Sequence, residues 1–136
     1  MRVLETNWWS ISLPDEWIAE RDEEAIIIFD EDDVGTIQLT DLKREEGDAS
    51  QEDLLELAEE LIEQGIKHVP AAMGDFVGIR FEYEEDDVFV IEWFLRCEDI
   101  VLLVSYDCDL DNKAMDVGMV EDILDTLEFN EEGDDE

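Results

Sequence analysis

Two apolar runs on either side of one acidic dipeptide constrain this chain most. The runs 88–97 (VFVIEWFLRC) and 100–106 (IVLLVSY) flank Glu98-Asp99. Successive strand residues point to opposite faces, so Phe89, Ile91, Trp93, Leu95 and Cys97 share one face. A two-residue turn at Glu98-Asp99 sets Cys97 opposite Ile100, Leu95 opposite Leu102, Trp93 opposite Val104 and Ile91 opposite Tyr106. Every pair on that face is apolar, and a slip of one residue would turn one strand's side chains away from the core. The second face is partly apolar as well, with Val88, Val90, Phe94, Val101 and Leu103 beside Glu92 and Arg96. A sheet with two apolar faces needs a layer against each. The expected fold is therefore α+β, an antiparallel sheet of about six strands with helices packed on both faces, a three-layer α/β/α sandwich.

The other segments supply the rest of that sheet and its helices. Trp9, Ile11 and Leu13 alternate with serines, which predicts a strand over 7–13 with one ring of the Trp8-Trp9 pair in the core and the other at its rim. Pro14-Asp15-Glu16 then opens either a short helical turn reaching Glu20 or only an irregular turn. The apolar run 25–29 and the alternating run 36–40 form a hairpin across a turn at 31–35. Residues 41–49 are a polar loop holding Lys43-Arg44. Ser50 to Asp53 begins a helix in capping-box fashion; Leu54, Leu57, Ala58, Leu61 and Ile62 make its apolar stripe, Leu55 widens it, and Gly65 ends it. Residues 66–75 read as a connector. A strand over 76–84 places Val77, Ile79, Phe81 and Tyr83 on one face and Arg80 and Glu82 on the other. A last helix runs from about Asn112 to Leu127 and turns Met115, Met119, Val120, Ile123, Leu124 and Leu127 inward. Residues 1–129 make one domain, and 130–136 are expected to be a disordered acidic tail.

Charge narrows the function classes. The chain has 43 Asp and Glu against 8 Lys and Arg, a formal charge of −35. Such a surface repels nucleic acid and anionic membrane, which need Lys and Arg. Three explanations fit it: adaptation to high salt, docking of a basic partner, or mimicry of nucleic acid to block a nucleic-acid-binding protein. The two cysteines, Cys97 and Cys108, fall at opposite ends of the hairpin, too far apart for a disulfide. Met1 to Thr6 lacks an apolar signal core. Together these predict a cytoplasmic chain with reduced thiols, as a monomer or weak dimer.

Candidate sites are few. Asp107, Asp109 and Asp111 have the spacing that begins a calcium loop, yet Asn112 stands at its glycine position and Gly118 at its bidentate-glutamate position. The run 30–35 is a poorer match, with Val34 at its fifth position. Asp111 or Asn112 reads better as the N-cap of the last helix. His68 is the sole histidine and reads as a solvated loop residue. Glu92 and Arg96 form a polar strip that can pair within itself or with Arg80 and Glu82 on the neighbouring strand. Such a strip reads first as the edge of a layer and second as the floor of a cleft, for which Arg80, Glu92, Arg96 and His68 are the candidates. Trp93 and Tyr106 read as core. No cofactor motif is present, and carboxylate pairs are unavoidable at this acid content.

The opening Trp9-Ser10-Ile11-Ser12-Leu13-Pro14-Asp15-Glu16-Trp17 resembles the strand and aliphatic-Pro-x-x-Trp start of the PsbP-like superfamily. The closing Ile123-Leu124-Asp125-Thr126-Leu127-Glu128-Phe129 is similar to its last helix and Phe-ended strand. The resemblance spans about residues 7–129 and includes the order hairpin, long helix, three-stranded meander, helix. It implies an antiparallel sheet with helices on both faces. It also implies a binding or accessory role, as in PsbP and a Ran-binding nuclear-import factor. No catalytic residue is carried over. The leading expectation is a non-enzymatic binding protein with a protein partner. The alternative is an acidic antagonist or immunity-type protein that neutralises a basic nucleic-acid-binding partner. A carboxylate-based hydrolase is third.

Overall fold

The computed structural model describes residues 2–6, 8–21, 25–30, 35–44, 46–112 and 117–129. Its elements in chain order are β1 (Arg2–Glu5), β2 (Trp9–Leu13), β3 (Trp17–Arg21), β4 (Ile26–Asp30), β5 (Gly35–Lys43), α1 (Gln51–Leu57), α2 (Glu59–Glu63), β6 (His68–Met73), β7 (Phe76–Glu85), β8 (Val88–Cys97), β9 (Ile100–Asp109), α3 (Val117–Leu124) and β10 (Glu128–Phe129). Strands dominate, in two antiparallel sheets. The larger has the order β3-β4-β5-β9-β8-β7-β6, the smaller β1-β2-β10.

This overturns the three-layer α/β/α sandwich. The face of the large sheet bearing Phe89, Ile91, Trp93 and Leu95 is covered mainly by the second sheet, through Trp9, Ile11 and Leu13, with α3 adding Val120, Ile123 and Leu124. A sheet buries an apolar face as effectively as helices do. On the other face α1 and α2 cover only the β7–β8–β9 end, where Leu54, Ala58 and Leu61 pack on Ile79, Phe81, Phe94 and Val101.

The central hairpin has the expected register. Cys97 pairs with Ile100, Leu95 with Leu102, Trp93 with Val104 and Ile91 with Tyr106. Its turn forces Glu98 to φ 56°. The β4–β5 hairpin also forms, with Ile28 opposite Ile37. The turn expected at 31–34 lies outside the described residues. Ser50 caps α1 as expected. Its hydroxyl accepts from the Asp53 N–H at 3.2 Å, and the Asp53 carboxylate accepts from the Ser50 N–H at 2.9 Å. Gly65, at φ 86°, closes α2, donating to the Ile62 carbonyl while Ile66 donates to that of Leu61.

Several segments differ. The expected helical turn after Pro14 is a tight turn, closed by Trp17 N–H donating to the Pro14 carbonyl at 3.0 Å, and a strand follows. The expected connector 66–75 contains β6, the edge of the large sheet. An edge strand tolerates Pro70, whose missing N–H removes one docking donor. The polar loop begins after Lys43, because β5 runs on to pair Lys43 with Ile100. Leu57 and Ile62 are exposed, since the stripe that meets the sheet is only as wide as Leu54, Ala58 and Leu61. The last helix is described over Val117–Leu124 and residues 110–112 form a separate 3₁₀ turn, while the stretch 113–116, on which the cap expected at Asp111 or Asn112 depends, lies outside the described residues. Met119 is exposed, whereas Val120, Ile123, Leu124 and Leu127 are buried. Met115 and the expected tail 130–136 lie outside the described residues.

Cross-links fix the small sheet on the large one. Trp9 Nε1 donates to Asp41 Oδ2 at 2.8 Å, and Ser12 N–H donates to Thr126 Oγ1 at 2.9 Å. Trp9 is buried and Trp8 half-buried, with Lys43 Nζ 4.6 Å from the Trp8 ring centre. Gly74, at φ 63°, lets the β6–β7 turn press against the Leu127 backbone, where any Cβ would collide.

Candidate functional site

Register decides which of the candidate side chains meet. Paired residues on neighbouring antiparallel strands share a face. Arg80 stands opposite Trp93, whereas Phe81 stands opposite Glu92 and Val77 opposite Arg96. Arg80 therefore projects from the opposite face to Glu92 and Arg96, and the expected four-residue cleft does not form. His68 stands opposite Phe81, on the Glu92 side, with its ring 5.2 Å from that of Phe81. Two strand spacings, about 10 Å, separate His68 from Glu92.

Each of these residues has its own surroundings. Arg80 lies under the edge of the sheet. Its Nη2 is 3.0 Å from Glu82 Oε1 and 3.7 Å from Glu121 Oε2 on α3, and its guanidinium carbon is 5.9 Å from the Trp93 ring centre. Its Nε and the Trp93 Nε1 are buried without a partner among the described residues. Beside it an open groove of about 400 Å³ runs between β6 and α3, lined by Pro70–Met73, Arg80, Glu121, Asp122 and Asp125. Arg80 is thus a strut between sheet and helix, held by carboxylates of this chain. The Lys43-Arg44 pair is engaged as well: Lys43 with Trp8 and Asp99, Arg44 with Asp53 at 2.8 Å.

On the other face Glu92 pairs with Tyr83, whose hydroxyl donates to Oε2 at 2.5 Å, and not with Arg96. Burial and then Glu92 hold the Tyr83 phenol well above its ordinary value. Asp107 is diagonal to Glu92, since Val90 faces Asp107 and Glu92 faces Ser105. Desolvation raises the Asp107 carboxyl even though its side chain keeps contact with solvent. Asp107 and Asp109 belong to β9, so they alternate with Cys108 along an extended strand and do not wrap a cation as a calcium loop would. Among the described residues, no cluster of His, Cys, Asp and Glu is arranged to hold a metal.

Neither cysteine is set up as a nucleophile. Burial first, then Glu98, pushes the Cys97 thiol up to about 11. Cys108 is buried at the other end of the hairpin, and the two do not form a disulfide with each other.

The feature that strand-by-strand reading missed is the open half of the large sheet. On the face that carries Glu92, the register places Ile18 beside Phe29 and Thr36, then Glu20 beside Ile27 and Gln38. Thr40 lies beside Leu103, and Leu42 beside Val101. α1 packs mainly against β7 and β8. Ile18 and Leu42 are 42% and 44% exposed, and neither they nor Ile27 and Phe29 belong to a core cluster. Two acids share these rows, Glu20 beside Ile27 and Asp107 beside Thr36. It could have been found by asking which apolar alternations remain once the hairpin and the helix stripe are paired.

No protein-family model matches the chain, and no curated protein does. Solved structures share its fold. A crystal structure of a Bacteroides thetaiotaomicron VPI-5482 protein superposes with a TM-score of 0.67 at 19% identity, over 93% of this chain and 47% of that one. The chain thus spans about half the length of that protein. LpqN, involved in cell envelope biogenesis of Mycobacterium tuberculosis, superposes with a TM-score of 0.60 at 16% identity, over 90% of this chain and 83% of LpqN. Identities this low establish likeness of fold alone. No helix among the described residues is long and apolar enough to cross a membrane.

Proposed function

We propose that this chain is a non-enzymatic binding or accessory protein of PsbP-like type that docks a basic protein partner in the cytoplasm. The observation behind the reading is one interruption in the acid surface. Ile18 and Leu42 are exposed and Ile27 and Phe29 half-buried on one sheet face, where Glu20 and Asp107 are the acids that the register of β3–β4–β5–β9 places among them. Exposed apolar patches rimmed by charge mark interaction sites. A surface of −35 attracts Lys- and Arg-rich proteins and repels nucleic acid. A nucleic-acid-binding protein held by charge mimicry is one form such a partner takes.

Capture on the immobilised chain tests this. A discrete basic protein is expected to be retained at about 0.05 M salt and released near 1 M, where the screening length shrinks to about 3 Å. Retention of no basic protein under either condition would overturn the reading.

A second reading, adaptation to high salt, is favoured by the spread of acids over helices, turns and strand ends alike. It expects the melting temperature to climb steeply from dilute buffer to molar salt and to keep rising beyond the range where simple screening saturates.

A further inference from the structure

We propose that the open half of the seven-stranded sheet seats one basic amphipathic helix of a partner protein, laid alongside α1–α2, with its apolar stripe on Ile18, Ile27, Phe29 and Leu42 and a Lys or Arg at Asp107. The inference rests on the basic-partner reading and specifies its occupant.

Geometry favours a helix. β3, β4, β5 and β9 span three strand spacings, about 14 Å, and the patch extends about 20 Å along the strands between the Ile18 and Leu42 rows. One helix is about 10–12 Å across and needs about 14 residues to cover 20 Å. On the same face α1–α2 already fills the neighbouring strip, packing on Ile79, Phe81 and Phe94. A second helix would complete that half-built layer at ordinary interhelix spacing. A strand added at the sheet edge would not touch this face, and β6, at one edge, is blunted by Pro70.

Charge selects the helix. Asp107 sits within the face, opposite Thr36 on β5 and Val90 on β8, with no cationic partner among the described residues. Glu20 stands in the row of Ile27 at the outer strand. An apolar stripe bordered by Lys or Arg matches an apolar strip bordered by carboxylates. A second copy of this chain would bring another −35 to the contact and is disfavoured.

The test uses the full chain and three fluorescein-labelled peptides of about 18 residues, long enough for five helical turns. One places Leu at helical spacing with flanking Lys; the second scrambles that composition; the third alternates Lys and Val. The patterned peptide is expected to bind with a dissociation constant on the order of micromolar, about tenfold tighter than the scrambled one. Ile18→Glu with Leu42→Glu should weaken it about tenfold, although the change adds two acids. Ile18→Thr and Leu42→Thr, which place strand-favouring β-branched side chains at both positions, serve if the Glu pair unfolds the chain, and should weaken binding in the same direction.

Equal affinity for patterned and scrambled peptides, with the Glu pair tightening both, would overturn the helix while leaving a basic partner in place. Tightest binding of the alternating peptide, indifferent to Ile18 and Leu42, would do the same. Self-association of the chain in sedimentation velocity, abolished by the Glu pair, would assign the face to a second copy. Binding of none of the peptides at low salt would overturn both readings.

Discussion

Leu54→Ala measures how firmly α1 is held on the half-covered face. Leu54 is 0% exposed and packs in the cluster with Ile79, Phe81, Phe94 and Val101. Truncation removes three carbons at about 0.8 kcal/mol each, roughly 2.4 kcal/mol of transfer. The cavity left between a short helix and a sheet adds to this, giving about 3 kcal/mol in all, within the usual range for a buried Leu→Ala change. Urea is the appropriate denaturant, because guanidinium chloride would also screen the −35 charge. With a slope near about 1.5 kcal/mol/M, the midpoint should fall by about 2 M. Leu57→Ala is the internal control. Sequence periodicity puts Leu57 in the same stripe, but it is 45% exposed, so its loss should cost below about 1 kcal/mol. A Leu54→Ala loss under about 1 kcal/mol, or equal losses for the two variants, would refute the packing described for α1.

Three further outcomes follow from local geometry. Asp86 and Asp87 both adopt left-handed φ, 52° and 68°, in the two-residue β7–β8 turn, where Asp-Gly is favoured. Asp87→Gly should therefore stabilise the chain by about 1 kcal/mol in urea melts, and a loss would show that the turn needs the Asp87 side chain. Folding raises the Asp107 carboxyl above 3.8, so the folded state binds that proton more readily than the unfolded one. The protonated form's contribution is full below 3.8 and is lost as pH rises through the folded value. Asp107→Asn should accordingly raise the melting temperature at neutral pH, with the gain vanishing below pH 3.8; a pH-independent gain would point to another cause. Cys97, pushed up to about 11 from 9.0, should alkylate about a hundredfold more slowly than an ordinary exposed thiol at pH 8, read by mass spectrometry, and labelling at the ordinary rate would contradict its burial.

Much of the fold was legible in the residues because its signals are local. The register of the central hairpin follows from apolar alternation on both sides of Glu98-Asp99. The Ser50–Asp53 capping box and the Gly65 helix end depend on contacts within a few residues. The weak strands β3 and β6 were hidden, because Pro14 mimics a helix start and Pro70 mimics a connector. Their strand character comes from pairing with β4 and β7. Propensity is a poor guide where a neighbour supplies the hydrogen bonds.

The candidate site was less legible still. Arg80, Glu92, Arg96 and His68 are close in sequence terms on adjoining strands, but one residue of register sends Arg80 through the sheet to the other side. Alternation alone required both faces of the hairpin to be apolar and the chain to repel other acids. What covers each face is a property of long-range pairing. Only the tertiary structure decided that a second sheet closes one side, that α1–α2 spans half of the other, and that Ile18, Ile27, Phe29 and Leu42 stay outside both core clusters.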